Sequence, residues 1–264
     1  MCADIANPPE TATATIDLTF AGRKGRLKIS VPTGPTRPVE LLPLLQSLTD
    51  TFVRIAVENA ESTGAKISCR NGCGACCRQL VPISEVEVES IRNIVRQLPD
   101  ARRSVVIERF EQARLRLGEA GLLERLRMPA HVAREELLPL GVAYFAQGIP
   151  CPFLEDESCS IHADRPLSCR EYLVVSPAAN CARPTPSTID CVRMPVKVSN
   201  AMRHLDPDRE NTSPPWIPLV LAMDWPAADR DQCTPRTGTS LVATLLTHLF
   251  GQDIAPPGIS HHDD

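Results

Sequence analysis

The sequence Cys69-Arg70-Asn71-Gly72-Cys73-Gly74-Ala75-Cys76-Cys77-Arg78 places four cysteines in one short segment, in a C-x3-C-x2-C-C pattern. A second group follows further along the chain and consists of Cys151, Cys159 and Cys169. Thiolates packed this closely need a partner that cancels their charge and fixes their geometry, which can be a disulfide, zinc or an iron–sulfur cluster. The sequence therefore predicts a metal or cluster protein.

The composition is ordinary for a globular protein and excludes several classes. Of the 264 residues, 43% are hydrophobic and 23% are charged, and the formal net charge is −4. A chain with net negative charge and few aromatic residues lacks the basic face and the stacking surface that nucleic acids require. The 11 cysteines are odd in number and clustered, which argues against a disulfide framework. We therefore expect no nucleic-acid partner and an unknown protein or redox partner.

The sequence also bears on location. The N-terminus has no basic region followed by an apolar stretch, so we expect no secretory signal. The longest apolar run, from Trp216 to Trp225, is shorter than the roughly 20 residues that cross a bilayer. We therefore expect a cytoplasmic protein with no membrane partner, in a compartment where thiols stay reduced.

Hydrophobic periodicity predicts a mainly α fold with a small N-terminal β-hairpin (α+β) around an irregular cysteine-rich core. Period-two runs near Ile16–Phe20 and Leu27–Val31 flank the glycine-bearing turn 22–25 and predict the hairpin. Helical spacing predicts helices over 39–62, from Ser84 to 98, from a cap at Asp100 past Leu117, over 130–147 and over 239–250. Ser84 and Glu87 form a predicted capping box. The helices between the cysteine groups should bring those groups together.

The same patterns suggest a division of the chain. We expect a disordered N-terminus over 1–13, a β-hairpin and linker over 14–38, and a cysteine-cluster domain over 39–195. A C-terminal helical extension over 196–254 should pack on that domain, and a loose tail should follow over 255–264.

The cysteine spacing predicts the ligands. Gaps of two and three residues place sulfurs on one side of a tight loop, within the ~2.3 Å reach of a shared ion. Neighbouring Cys76 and Cys77 point in different directions, so either one of them is a spare buried thiol or the pair faces two metals or two irons. This favours an iron–sulfur cluster, [4Fe-4S], or a dinuclear site over a single zinc ion, with Zn²⁺ left as the alternative cofactor. The expected ligands are Cys69, Cys73, Cys76, Cys77, Cys151, Cys159 and Cys169.

Other residues near the motifs have weaker roles. Cys181 or Cys191 could supply an eighth ligand or be a small buried apolar residue, whereas Cys2 and Cys233 are expected to be bystanders. Positive side chains next to the ligands would offset excess thiolate charge and raise a cluster's reduction potential. The residues expected around the ligands are Arg70, Arg78, His162, Arg165, Arg170 and Tyr172.

No enzyme motif accompanies the cysteines. The chain has no dinucleotide fingerprint, P-loop, H-E-x-x-H or G-x-S-x-G motif. The C-x3-C-x2-C spacing of radical S-adenosylmethionine enzymes occurs over Cys69–Cys76, but Cys77 follows it directly and the chain lacks their alternating strands and helices. The catalytic residues are therefore unknown, and the sequence leaves open whether the protein is an enzyme.

Three motifs together resemble a known family. They are the loop over 69–77, Cys-Pro-Phe-Leu at 151–154, and C-x-I-H-x-x-R-P-x-x-C-R at 159–170. Over about residues 67–173 the chain resembles the YkgJ-type cysteine-cluster family, also called CxxCxxCC or the zinc- or iron-chelating domain. Flagellin lysine-N-methylases share this signature, and resemblance to them implies an iron–sulfur centre. The family usually has an aromatic residue where His162 stands, so a ligand role and a packing role for His162 both stay open.

The cysteine pattern leaves two functions open, and the resemblance adds a third. The first is an iron–sulfur protein with a redox or protein-modifying role. The second is a non-enzymatic zinc- or iron-chelating module with a structural or metal-handling role. The third is a lysine N-methylase-like protein methyltransferase, although the sequence shows no recognisable S-adenosylmethionine loop.

Overall fold

Helices dominate the structure, a computed structural model that describes residues 10–20, 23–185, 187–205, 216–226 and 235–251, without the side chains of 16–25. The mainly α architecture with an N-terminal hairpin confirms the prediction. The α-helices within these ranges are α1 Leu42–Ser62, α2 Glu85–Gln97, α3 Asp100–Glu119, α4 Leu123–Arg127, α5 Leu137–Ala146, α6 Leu167–Glu171, α7 Val198–Met202 and α8 Gly238–Phe250.

The strands form antiparallel pairs. In the N-terminal hairpin, β1 Thr11–Phe20 pairs with β2 Arg23–Pro32. Residues 23–25 of the turn predicted over 22–25 therefore lie in β2, and residues 21 and 22 lie outside the described residues. The other strands are two residues long, and β3 pairs with β8, β4 with β7 and β5 with β6. Their bounds are β3 Pro35–Thr36, β4 Pro82–Ile83, β5 Leu154–Glu155, β6 Ser158–Cys159, β7 Ile217–Pro218 and β8 Arg236–Thr237.

Residues 11–13 correct one boundary. We expected them in a disordered N-terminus, but they begin β1, where Thr13 Oγ1 lies 2.8 Å from Ser30 Oγ. Just outside the strand, the backbone N–H of Thr33 donates to the carbonyl of Glu10 at 2.9 Å. These bonds to β2 order the segment. Residues 1–9, and the tail predicted over 255–264, lie outside the described residues.

Two helix predictions need correction and one is confirmed. The capping box at the start of α2 is present, with Ser84 Oγ accepting from the Glu87 N–H and Glu87 accepting from the Ser84 N–H. Asp100 is the first residue of α3 and not its cap, which is Pro99. The helix predicted over 130–147 begins only at residue 137. Pro139 explains the late start, because a proline is tolerated in a first turn but would disrupt a continuous helix through residue 135.

Apolar side chains form three packed groups. The first joins α1 to α8 and α7, with Leu45, Leu245 and Met202 buried at its centre. The second joins α2 to α3 and includes Phe153, whose ring packs edge-on against Phe110 at 5.7 Å. The third surrounds α4 and α5. Burying apolar surface is the main force that holds these helices together, and this packing positions the segments that carry the cysteines.

The helices also differ from membrane spans. Of those in the described ranges, none is both long enough and apolar enough to cross a bilayer.

Candidate metal centre

The first cysteine segment is an irregular loop that ends in a 3₁₀ turn over Ala75–Arg78. The Cys73 N–H donates to the Arg70 carbonyl at 3.2 Å, and the Cys77 N–H donates to the Gly74 carbonyl at 3.0 Å. Gly72 has a φ of +76°, a left-handed conformation that glycine adopts without steric cost. These tight turns hold the four thiols of the loop close together.

The second cysteine segment folds into the short hairpin of β5 and β6. Its two central residues, Asp156 and Glu157, have φ values of 48° and 56°, which is the pattern of a type I′ turn. Cys159 lies opposite Leu154 in the ladder, and the Leu154 N–H donates to the Cys151 carbonyl at 2.9 Å. The reversal therefore returns Cys159 to the neighbourhood of Cys151.

This hairpin packs directly on the first loop. A Cβ added to Gly74 would lie 2.6 Å from Glu157 Oε2, 2.8 Å from Leu154 Cδ1 and 3.1 Å from Glu157 Cα, so a larger residue would force these neighbours to shift. The Cys151 N–H donates to the Cys77 carbonyl at 2.7 Å. Two chain segments far apart in sequence thus meet through backbone contact at the cysteines themselves.

An ion pair also joins the hairpin to the first cysteine loop. Arg78 donates through Nη1 and Nη2 to the two carboxylate oxygens of Glu157 at 2.9 and 2.6 Å. The pairing with Arg78 lowers the pKa of Glu157. Both side chains reach solvent, with 32% and 51% of their side-chain surface exposed, and exposed pairs contribute little to stability.

We expect Glu157→Ala to lower the free energy of unfolding by less than about 1 kcal/mol, because water screens an exposed pair. Metal content should stay near that of the wild type. Urea unfolding and elemental analysis of the purified variant check this. A loss of several kcal/mol, or of most of the metal, would show that the ion pair and not the backbone contact holds the hairpin in place.

Helix α6 places the third cysteine of the second group. The Leu167 N–H, at the start of α6, donates to the buried Glu87 carboxylate at 2.7 Å, and Ser168 Oγ donates to the Pro82 carbonyl at 2.8 Å. These bonds join α6 to the start of α2 and to β4. They orient Cys169 toward the same space as Cys151.

A cavity of about 680 Å³ lies among these segments. Both predicted groups of cysteines line it, so the structure brings together residues that are distant in sequence. In the described ranges, all nine cysteines are free thiols, and no three His, Cys, Asp or Glu side chains converge on one shared ion position. The thiols surround the space instead. The cysteines in the wall are Cys69, Cys73, Cys76, Cys77, Cys151, Cys159, Cys169 and Cys181.

The two cysteines that could supply an eighth ligand differ in burial. Cys181 is buried with 4% of its surface exposed and lies in the cavity wall, as an eighth ligand would. Cys191 is exposed and lies opposite Val174 in an antiparallel bridge. Cys2 and Cys233 lie outside the described residues.

The adjacent thiols Cys76 and Cys77 share a proton. A hydrogen bond from Cys77, helped by the charge of Arg165, lowers the pKa of Cys76 to about 6, while the same bond and burial raise the pKa of Cys77. Cys76 is also solvent exposed. The pair therefore presents one thiolate toward the open side of the cavity, and a thiolate is the form that binds metals.

The deeper thiols are protonated when no cation is present. Burial, with the charge of Cys159, raises the pKa of Cys151 to about 12. Burial and neighbouring thiols likewise raise the pKa of Cys169 far above its ordinary value. A metal cation would reverse this preference, because thiols bind metals as thiolates and release their protons. A set of soft sulfur donors fits zinc or an iron–sulfur cluster.

The residues expected around the ligands divide into two groups. Arg70, His162, Arg165 and Tyr172 lie in the cavity wall. Arg165 has a buried Nε without a hydrogen-bond partner among the described residues, and its charge lowers the pKa of His162. Arg78 pairs with Glu157 as described above. Arg170 is buried and donates to both carboxylate oxygens of Asp50 at 3.0 and 2.9 Å.

Sequence reasoning missed several residues that build the centre. Glu157 gave no signal, because charged residues in a loop are usually solvated. Gln79, whose Nε2 donates to Tyr172 Oη at 3.1 Å, was equally unmarked. Gly74 lies within the cysteine loop, but its contact with Leu154 could not be read from the chain.

Comparison with known proteins bears directly on the cysteine region. A sequence model of the CxxCxxCC family, described as a zinc- or iron-chelating domain, matches residues 68–186. No curated protein and no solved structure matches the chain. The matched segment contains every cysteine in the cavity wall, so the family description supports metal binding at this site. The resemblance inferred from the motifs is confirmed, since the family whose model matches residues 68–186 is the one that the motifs indicate.

Proposed function

We propose that this chain holds an iron–sulfur cluster, [4Fe-4S], in its cysteine-lined cavity and uses it in a redox or protein-modifying role. One observation carries the proposal: eight cysteines, from segments far apart in sequence, line one cavity of about 680 Å³. Free thiols of this number suit a reducing compartment, which supports a cytoplasmic location. The ligands would be drawn from Cys69, Cys73, Cys76, Cys77, Cys151, Cys159 and Cys169, with Cys181 as a further donor.

The chain's own residues support this use of the cavity. When bound, an iron–sulfur cluster supplies one-electron redox chemistry, and its potential depends on burial, charge and hydrogen bonds to sulfur. The Val174 N–H donates to Cys69 Sγ at 3.4 Å. Arg165 lies in the wall with its charge acting on Cys76 and Cys159. Both features favour the reduced, more negative state of a cluster and so raise its potential.

The cavity wall also controls access. Apolar side chains that include Phe153, Ile161 and Leu219 line part of the space and keep water from the deeper thiols. Cys76 reaches solvent, so one side of the centre is accessible. This arrangement suits exchange of electrons with a partner protein that contacts the exposed side.

Anaerobic purification of the full chain tests the proposal. We expect a brown protein with visible charge-transfer absorption that contains iron and acid-labile sulfide in equal amounts. Reduction with dithionite should bleach the absorption. A colourless protein that contains stoichiometric zinc and no sulfide would overturn the iron–sulfur assignment.

A second function, a zinc- or iron-chelating module without redox activity, is favoured by the irregularity of the cysteine segments. Between Cys151 and Cys191, the described residues form a four-residue strand pairing, the five-residue α6, short 3₁₀ turns and the single bridge of Val174 to Cys191. Segments with so little regular structure gain folding energy from a bound metal. Under this alternative, chelation unfolds the domain and no redox signal accompanies the metal.

A further inference from the structure

We propose that Arg109 of α3 is a positioning residue of the metal centre, which holds the backbone between Cys151 and Cys159 and so fixes these two thiols as ligands. This role rests on the proposed metal-binding function. The cysteine motifs do not indicate it, because Arg109 lies on a helix between the two cysteine groups and belongs to neither.

Arg109 bonds to the segment that leads from Cys151 into the hairpin of β5 and β6. Its Nη1 donates to the Pro152 carbonyl at 3.1 Å and to the Leu154 carbonyl at 3.4 Å. The same atom lies 3.6 Å from Glu155 Oε1. Hydrogen bonds from a cation are stronger than bonds between neutral groups, so one guanidinium holds this segment at two carbonyls.

The Leu154 backbone connects the two thiols that Arg109 would fix. Leu154 lies opposite Cys159 in the ladder of β5 and β6. Its N–H donates to the Cys151 carbonyl at 2.9 Å. By holding the Leu154 carbonyl, Arg109 therefore acts on the residue through which Cys151 and Cys159 are joined.

The bond to Pro152 also reaches the sulfur of Cys151. The Pro152 carbonyl and the Phe153 N–H belong to one peptide group. That N–H donates to the Cys151 thiol, where it opposes the larger effect of burial on the pKa of Cys151. A cation at the carbonyl polarises the peptide and strengthens the hydrogen bond on its other side. Because hydrogen bonds to sulfur tune the potential of an iron–sulfur cluster, Arg109 should raise that potential.

Apolar packing alone would not fix the orientation of this segment. Phe110, next to Arg109, packs edge-on against Phe153 at 5.7 Å, and both rings are buried. The burial of apolar surface is non-directional, so this contact brings the hairpin to α3 but leaves its orientation open. Hydrogen bonds depend on direction, and Arg109 supplies two of them at the same place.

Arg102 on the same helix provides an internal comparison. Its Nη2 lies 3.5 Å from Glu155 Oε2, so it forms a similar exposed ion pair with the hairpin. Among the residues that the structure describes, however, no hydrogen bond joins Arg102 to a hairpin carbonyl. Exposed ion pairs contribute little to stability, so the carbonyl bonds distinguish Arg109 from Arg102.

Release of bound metal tests this role. The full chain is purified anaerobically as wild type, Arg109→Met and Arg102→Met, and elemental analysis follows the loss of metal to excess EDTA. Methionine keeps an apolar stem and removes the donors. Arg109→Met should release metal about tenfold faster than the wild type, the factor expected of a hydrogen bond to a charged group. Arg102→Met should stay within about twofold of the wild type.

A conservative variant and a redox titration extend the test. Arg109→Lys keeps the charge and the stem but loses the planar fork of donors, so it should release metal about threefold faster than the wild type. This rate decides the test if circular dichroism shows that Arg109→Met does not fold. In a chain that contains a cluster, Arg109→Met should also make one-electron reduction about tenfold less favourable, a shift of about 59 mV to lower potential. Arg109→Lys should shift the potential less, because it keeps the charge.

The outcomes separate this role from the proposed function. An unchanged release rate in Arg109→Met, or an equal acceleration in Arg102→Met, overturns the role of Arg109. Release from Arg109→Lys at the wild-type rate overturns it where Arg109→Met does not fold, and an unchanged potential overturns the effect through Phe153. Faster release from Arg109→Met in a chain that holds zinc and no sulfide supports the role and overturns only the cluster assignment. A wild type without bound metal overturns the proposed function and this role with it.

Discussion

Gly74→Val is expected to lower the free energy of unfolding by about 2–3 kcal/mol, as overpacking a well-packed contact does, and to remove most of the bound metal. The hydrogen that glycine carries faces the hairpin of β5 and β6. A Cβ there would lie 2.6 Å from Glu157 Oε2, 2.8 Å from Leu154 Cδ1 and 3.1 Å from Glu157 Cα. The side chains can rotate away, but the backbone contact cannot be relieved unless the hairpin moves. Such a shift carries Cys159 away from Cys77.

Elemental analysis and urea unfolding of the Gly74→Val protein measure both effects. Gly141→Ala is the matched control, because a Cβ at Gly141 has open space and ordinary φ, and alanine is the better helix former. The double variant Gly74→Val/Glu157→Ala removes the carboxylate obstacle and leaves the Leu154 side chain and the Glu157 backbone in place. If the double variant regained full stability and metal content, the close backbone approach would not be what positions the hairpin.

The helical part of the fold could be predicted because its signals are local. Ser84 and Glu87 lie three residues apart, and their reciprocal hydrogen bonds mark the start of α2 in the sequence as they do in the structure. The helix prediction over 130–147 was wrong at its start, where a single proline overrides the apolar pattern. Apolar residues continue the helical pattern from 130, but Pro139 confines α5 to the segment after residue 136.

The sequence predicted which residues form the candidate site, but it could not predict how they are placed in space. Motif spacing identified the cysteines that line the cavity. The hairpin between Cys151 and Cys159 could not be foreseen, since its type I′ turn contains Asp156 and Glu157 instead of the usual Asn-Gly or Gly-Gly. Its docking on Gly74 depends on a contact between residues about eighty positions apart, and such long-range packing has no local signature.

Glu87 links the fold to the site because its buried carboxylate serves two elements at once. Oε2 accepts from the Ser84 N–H at 2.9 Å at the start of α2, and Oε1 accepts from the Leu167 N–H at 2.7 Å at the start of α6. Burial raises the pKa of Glu87 from 4.5 to about 7 and outweighs these hydrogen bonds, which favour the charged form. Folding therefore makes this carboxyl group hold its proton more tightly.

The contribution of Glu87 to the free energy of unfolding should consequently fall as the pH rises from about 4.5 to about 7. Below about pH 4.5 Glu87 is protonated in both the folded and the unfolded chain, and its contribution is fully present. Between pH 4.5 and about 7 only the folded chain keeps the proton. Each increase in pH therefore lowers the free energy of unfolding, until the folded chain also ionises. The whole change amounts to about 3 kcal/mol. Glu87→Gln cannot ionise, so its unfolding free energy should lack this decline.

Urea unfolding of both proteins at about pH 5 and about pH 8 measures the difference, and titration of the cysteines cancels because both proteins contain them. The amide that Glu87→Gln introduces has one acceptor oxygen for two backbone donors, which lowers stability by a constant amount of about 1–3 kcal/mol. The advantage of the wild type over Glu87→Gln should therefore shrink by about 2.5 kcal/mol between the two pH values. Glu124→Gln, at a side chain that is 74% exposed, should parallel the wild type. Parallel profiles for Glu87→Gln and the wild type would mean that Glu87 stays ionised, and that its hydrogen bonds to α2 and α6 outweigh the cost of burial.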